Sequence, residues 1–182
     1  SNSGKRAKNN CDRLERLGFD LNLFTAVITS GEVAYWTIKN KFENKINLLI
    51  GRSAISKKHK KRIEFFKKYY EHPLCDLGAI NKDTPHPNWL KKKISIEDHL
   101  KYKFIMCVEG VDVATNLKWV MSSNSIAVMS KPKIESWFME NKLIPDKHYI
   151  EIKDDYSNLE ERLQYFIAVS YTHLTLPTKV RV

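Results

Sequence analysis

Between residues 101 and 167, short apolar runs alternate with segments whose apolar residues recur every three or four positions. The runs at 103–108, 125–129 and 148–152 read as strands. The segments at 114–121, 133–139 and 157–167 read as helices, the last with Ser157 as N-cap and Glu160 three residues on. Parallel strands cannot be joined by a tight hairpin, so strand–helix alternation at this spacing implies a parallel sheet with crossover helices. The fold class is therefore α/β and Rossmann-like.

Upstream, residues 47–50 form a short apolar strand that delivers Gly51, Arg52 and Ser53 at its carboxyl end. Residues 56–70 follow as a helix with Ile63, Phe66 and Tyr70 on one face, closed by His72-Pro73. Residues 81–89, with Pro85 and Pro87, read as a surface loop, and Ser95 as the N-cap of a helix with Asp98 three on. Nearer the start, residues 5–17 read as a helix and 21–28 as a strand.

The chain of 182 residues is long enough for one core. Its 42% hydrophobic and 29% charged residues are ordinary for a globular domain and argue against a disordered chain. No apolar run reaches the roughly 20 residues that span a bilayer. Cys11, Cys75 and Cys107 are too far apart for a zinc knuckle and odd in number, so a reducing compartment is expected, with Cys107 buried in a strand. The net charge of +10 is concentrated in Lys57, Lys58, Lys60, Lys61, Arg62, Lys67 and Lys68, with a second patch at Lys91, Lys92 and Lys93. Such a run is a solvated helix face unless an anionic partner meets it. No zinc finger, aromatic RNA-binding strand or helix-turn-helix pattern accompanies it, so nucleic acid is not expected.

A strand that hands over to a helix can hold an anion on its free N–H groups. The turn Glu109-Gly110-Val111-Asp112 qualifies, and the Thr115 hydroxyl, Asn116 and Lys118 follow in the next segment. Equally, Thr115 and Asn116 can simply cap that helix while Lys118 is solvated. Glycine spacing excludes a dinucleotide fingerprint or a P-loop. Arg52, at a strand end, can fork onto a phosphate or lie unremarkably at the surface. Glu135, after Pro132 in the first turn of the expected helix at 133–139, can cap that helix or accept from ribose hydroxyls. Scattered His72, Asp76, Asp98 and His99 do not make a metal set.

The segments LLIGRSAI, FFKKYYEHPLCDLG, DHLKYKFIMCVEGVDVATNLKWVMSSNSIAVM and the closing ESWF…LIPDKHYIEIKDDYSNLEERLQYF occur in an order that resembles glycosyltransferase family 90. They cover about two thirds of the chain. That family includes bacterial lipopolysaccharide-core or capsule sugar transferases, the closer match, and eukaryotic protein O-glucosyltransferases. The resemblance implies the C-terminal, donor-binding half of a two-domain (GT-B type) enzyme. It implies a uridine-diphosphate sugar as donor, no metal or other cofactor, and a lipopolysaccharide or other glycan as acceptor. Arg52 matches the family's phosphate-contacting arginine after a strand. The family's basic residues in the next helix map to Asn116 and Lys118, and at Asn116 many relatives carry Arg, so this chain has one charge fewer there. Ser122, Ser123 and Ser125 lie where the family approaches the nucleotide. The catalytic base is expected from the N-terminal half, with Asp76 and Asp112 only fallbacks.

The expected organisation is a partial N-terminal helix/strand region at 1–46, a Rossmann-like nucleotide-sugar-binding domain at 47–168, and a non-native tail at 169–182. The opening KRAKNNCDRLERLGFDLNLFTAV faintly resembles a second lipopolysaccharide sugar-transferase family. The tail's SYTHLTLPTK resembles translated sequencing-adapter read-through, and leaving out its Lys179 and Arg181 takes +10 to +8. The expected location is cytoplasmic, with peripheral contact at the inner face of a bacterial inner membrane suited to the charge. Two readings compete: a basic, non-catalytic α/β module that binds nucleic acid or anionic membrane through 57–68, and a truncated, inactive piece of an enzyme.

Overall fold

The computed structural model describes residues 42–168. In chain order the elements are β1 (Ile46–Ser53), α1 (Lys60–Tyr69), β2 (Cys75–Ala79), α2 (Ile96–His99), β3 (Tyr102–Met106), α3 (Leu117–Val120), β4 (Ile126–Ser130), β5 (Ile150–Ile152) and α4 (Leu159–Ala168). Short 3₁₀ turns occur at Phe42–Asn44, Pro87–Trp89 and Glu140–Lys142. The expected helix at 5–17, the strand at 21–28, Cys11 and the tail at 169–182 lie outside the described residues.

The five strands form one sheet in the order β2-β1-β3-β4-β5, every neighbouring pair parallel. The parallel α/β architecture read from the alternation is thus the observed one. Successive side chains of a strand point to opposite faces, and here each face is covered. Leu49, Leu77, Phe104, Met106, Val128 and Ile150 pack with Phe65 and Phe66 of α1 and Leu159 and Leu163 of α4. On the other face Ile50, Ile105, Cys107, Ala127 and Met129 pack with Leu117 and Val120 of α3 and with Leu100. Leu49, Ile50, Phe65, Phe66 and Phe104 have no exposed surface, and each contributes about 1.5–3 kcal/mol by burial. At Gly51 a side chain would crowd both neighbouring strands: a Cβ would lie 2.8 Å from Leu77 Cδ2 of β2 and 3.1 Å from Met106 Sδ of β3.

Boundaries moved for local reasons. β1 runs on through Gly51, Arg52 and Ser53, because these residues pair with Leu77, Gly78 and Ala79 of β2. The helix expected at 56–70 starts only at Lys60, since the Ser56 N–H donates to His59 Nδ1 (3.0 Å) and closes a turn. Ser95 caps α2 as expected, its hydroxyl accepting from the Asp98 N–H at 3.1 Å. The helix at 114–121 contracts to the single turn of α3, and α4 begins at Leu159 rather than Ser157.

The helix expected at 133–139 does not form. Two carboxylates instead pin the backbone of this segment along an irregular path. Glu109 accepts from Lys133 N (2.8 Å) and Ile134 N (3.2 Å), and Glu140 from Ser136 N (2.7 Å). Met139 then takes a left-handed φ of 55°, which ends any helical path. Glu135 consequently lies in an exposed connection instead of a helical first turn, where its carboxylate accepts from Asn141 Nδ2 at 2.8 Å.

Candidate functional site

From β1 the chain moves to β2 on one side and then returns across β1 to β3 on the other. The connections leaving the carboxyl ends of β1 and β3 therefore diverge, and this switch point is where open α/β sheets form a ligand crevice. Residues 54–59 line one side of it and residues 107–116 the other.

On the β3 side the loop is closed on itself. Gly110 N donates to Asp112 O (3.1 Å), and the Asp112 carboxylate accepts from Val113 N (2.7 Å). Val113 and Ala114 are buried while Thr115 faces solvent. Asn116 turns inward and donates to the carbonyl of Met106 at 2.9 Å, locking the loop to the end of β3. Lys118, on α3, holds its ammonium 3.9 Å from the buried Glu140 carboxylate and 5.3 Å from the centre of the Trp137 ring. Gly110, Thr115, Asn116 and Lys118 thus share one loop and the turn of helix that follows it.

The other expected residues are placed elsewhere. Arg52 lies near the end of β1, but its Nη2 donates to both carboxylate oxygens of Asp76 at 2.9 Å and its Nη1 to Asp76 O at 2.8 Å. Its side chain is only 9% exposed, so that pairing fixes where the charge points. Lys91 reaches the same carboxylate at 2.8 Å. Burial pushes the Asp76 carboxyl up, yet the bonds from Arg52 and Lys91 outweigh it and hold the group below its ordinary range. Ser123 is buried in the turn before β4, donating to Val120 O (2.7 Å) and accepting from Ser125 N (3.1 Å). That turn is at the amino end of its strand, away from the crevice.

The structure adds residues that the sequence reading left in a solvated basic face. Lys61 and Arg62 stand four positions before the buried Phe65 and Phe66, so they share the inward side of α1. Lys61 donates to Glu109 at 2.6 Å. Burial raises the Glu109 carboxyl, but the bonds from Lys61, Lys133 N and Ile134 N prevail and keep it ionised below its ordinary range. Arg62 donates to Val108 O (3.2 Å) and to Ala54 O (3.1 Å), one carbonyl from each side of the crevice. The helical offset from the two phenylalanines was the signal that separated these two cations from the neighbouring lysines. Glu140, buried and holding the 131–140 segment, had no such signal, because nothing in its local pattern marks it as inward-facing.

Beside the crevice, Lys61, Cys107, Glu109, Ser130, Lys133, Asp154 and Tyr156 line a cavity of about 40 Å³, room for ordered water rather than a ligand. Cys107 itself is buried, and burial raises its thiol, so it packs as an inert small hydrophobe. Among the described residues no group of three or more His, Cys, Asp or Glu is placed to hold a metal ion. No helix among them is long and apolar enough to cross a membrane. In chemical terms the carboxyl edge offers half-buried cations, exposed lysines at 57, 58 and 60, and a glycine-containing loop, a combination suited to an anionic ligand.

Comparison with known proteins gives the same stretch a relationship. The chain is 39% identical over 125 residues to the O-glucosyltransferase LpsA of Dichelobacter nodosus, covering 69% of this chain and 39% of that protein. It is 33% identical over 130 residues to protein O-glucosyltransferase 2 of Danio rerio, covering 68% of this chain and 25% of that one. The chain therefore spans well under half the length of these curated relatives. The profile of glycosyl transferase family 90 matches residues 29–172, which include the whole described sheet, and the chain belongs to that family.

Proposed function

We propose that this chain supplies the donor-binding half of a two-domain glycosyltransferase, which moves a sugar from a uridine-diphosphate donor to a lipopolysaccharide or other glycan hydroxyl. The observation that carries this reading is the β1/β3 switch point, flanked by a glycine-containing loop and a cation-rich helix start in a family 90 sheet. The names of the two relatives, both O-glucosyltransferases, favour a hexosyl donor and an oxygen acceptor.

In the transfer, the bond between the anomeric carbon and the diphosphate oxygen breaks, and its electron pair stays on the diphosphate. The acceptor oxygen bonds to the anomeric carbon, and its proton passes to a carboxylate base contributed outside this domain. The donor half acts by placing fixed positive charge where the leaving diphosphate becomes more negative. Gly110 and Thr115 line the loop, Asn116 keeps it in register with β3, and Lys118 stands at the rim. Glu135, exposed beyond the rim, is the group we assign to ribose hydroxyls. Arg52 serves the site indirectly, by bracing the end of β1 against β2.

Titration calorimetry with a uridine-diphosphate sugar, duplex DNA and anionic vesicles tests this reading, at about 50 and 200 mM salt. Nucleotide-sugar binding that survives the higher salt is expected. Binding to duplex or vesicles alone, collapsing as salt rises, would instead identify a basic surface module.

A further inference from the structure

A second concavity lies at the other end of α1. The helix starts at the carboxyl edge of the sheet and runs back to the amino edge, where β2 begins. Beyond its last turn is an open groove of about 620 Å³, whose lining includes Lys67, Lys68, Tyr70, His72, His86 and Trp89. From Arg62 to Tyr70 the helix rises about 12 Å, so this groove is separate from the β1/β3 crevice.

Its floor is aromatic. Trp89, only 7% exposed, has its ring centre 5.3 Å from Phe66 and 6.0 Å from Tyr70, and the His86 ring lies 4.0 Å from it on the other side of the turn. The Tyr70 hydroxyl donates to the carbonyl of Asn88, which ties the end of α1 to the 87–89 turn and fixes these rings. Tyr70 and His86 stay half-exposed in the groove. At its mouth Lys67 and Lys68 are exposed. Lys68 donates to the Asp155 carbonyl, which leaves other N–H groups of its ammonium open. Lys67 and the ring nitrogens of His86 make no hydrogen bond among the described residues. On the acidic side, Glu71 belongs to the lining, and Glu160 of α4 approaches His72 Nε2 at 3.4 Å.

A pyranose has an apolar face of C–H bonds and a polar edge of hydroxyls. Fixed rings beside unused hydrogen-bonding groups suit both, and two lysines at the mouth favour a negatively charged substituent. A flat bilayer, by contrast, meets protruding side chains and cannot reach the floor of a concave groove. We propose that this groove holds an acidic stretch of the acceptor glycan, away from the hydroxyl that receives the sugar. Tyr70 and His86 lie against the sugar faces, and Lys67 and Lys68 meet phosphate or carboxylate groups. The assignment rests on the glycan-acceptor reading above. It goes further by naming a second saccharide site and an acceptor that is a charged chain rather than a single sugar.

The test follows the backbone amide resonances of this chain as deacylated lipopolysaccharide core oligosaccharide is added. Maltotriose serves as a neutral sugar, inorganic phosphate as a bare anion, and phosphatidylglycerol vesicles as a lipid surface. The oligosaccharide should shift residues 66–73 and 86–89, and maltotriose should bind at least tenfold more weakly. The double variant Lys67→Gln/Lys68→Gln and the single variant His86→Ala should each weaken the oligosaccharide about fivefold or more, with uridine-diphosphate binding unchanged. Lys92→Gln, outside the groove, should stay within twofold. No binding of the oligosaccharide, shifts elsewhere, or both groove variants within twofold would overturn the assignment, and uridine-diphosphate binding would still support the donor reading. Maltotriose, phosphate or vesicles acting on the same residues as strongly as the oligosaccharide would also overturn it. Groove binding without any uridine-diphosphate binding would instead sink the donor reading and leave a glycan site.

Discussion

Asp76 holds Arg52 and Lys91, Glu109 holds Lys61, and both carboxylates are kept below their ordinary values of 3.8 and 4.5 by the bonds they accept. A depressed folded value means that the unfolded chain binds more protons in that window, so stability rises with pH there. The contribution is complete above about pH 5 and is lost as pH falls through the ordinary carboxylate range toward the folded values. Thermal melts between about pH 3 and 7 should show this slope, and Glu109→Gln should flatten it. An unchanged slope in the variant would remove Glu109 from the account. Asp76→Asn leaves the Arg52 guanidinium, 9% exposed, facing a neutral amide, and should cost about 2–4 kcal/mol in denaturant unfolding. Uridine-diphosphate affinity of the folded variant should stay within twofold; a large loss would return Arg52 to the list of donor ligands. At these positions the sequence showed which residues were charged but not which were paired. Arg52 and Asp76 are neighbours only because β1 and β2 lie side by side, a relation that no local pattern encodes.

β3 and β4 and the cap of α2 were legible because their signals are local: an apolar run bounded by polar residues, and a Ser with Asp three positions on. The segment at 133–139 was not, because its observed path carries a left-handed Met139 and contacts to groups outside it, neither of which its apolar spacing encodes. Glu109, 24 residues before Lys133, takes two of its N–H groups, and Glu140 takes another. Glu140→Ala should therefore loosen this connection, costing about 1–2 kcal/mol and speeding amide exchange at Ser136. Exchange at Lys133 and Ile134, held by Glu109, should not change; faster exchange at all three would mean the segment moves as one. In β1, Gly51→Ala would place its Cβ 2.8 Å from Leu77 Cδ2, and the overpacking should destabilise by about 1–3 kcal/mol in chemical denaturation. A neutral result would show that β1 and β2 have room to separate.

Across the molecule, alternation in the sequence was enough to imply a parallel sheet, but not the order of its strands. The order β2-β1-β3-β4-β5 is what creates a switch point and decides which loops share a crevice. It brings Ala54, His59 and Arg62 up to Val108 and Gly110, with Arg62 and Val108 separated by 46 positions in the chain. It also brings Lys61 and Arg62 of the basic run against the β3 loop instead of leaving them on a solvated face, a placement that composition alone did not give. The central claim is that the carboxyl edge at β1/β3 binds the diphosphate of a nucleotide sugar. The most direct test is to titrate the isotope-labelled chain with uridine diphosphate and follow its backbone amide resonances. The account predicts saturable shifts confined to residues 54–62 and 107–118, with Gly110 among the largest. Shifts centred instead on Asp76, Lys91 and Tyr102, or no shifts at all, would contradict it.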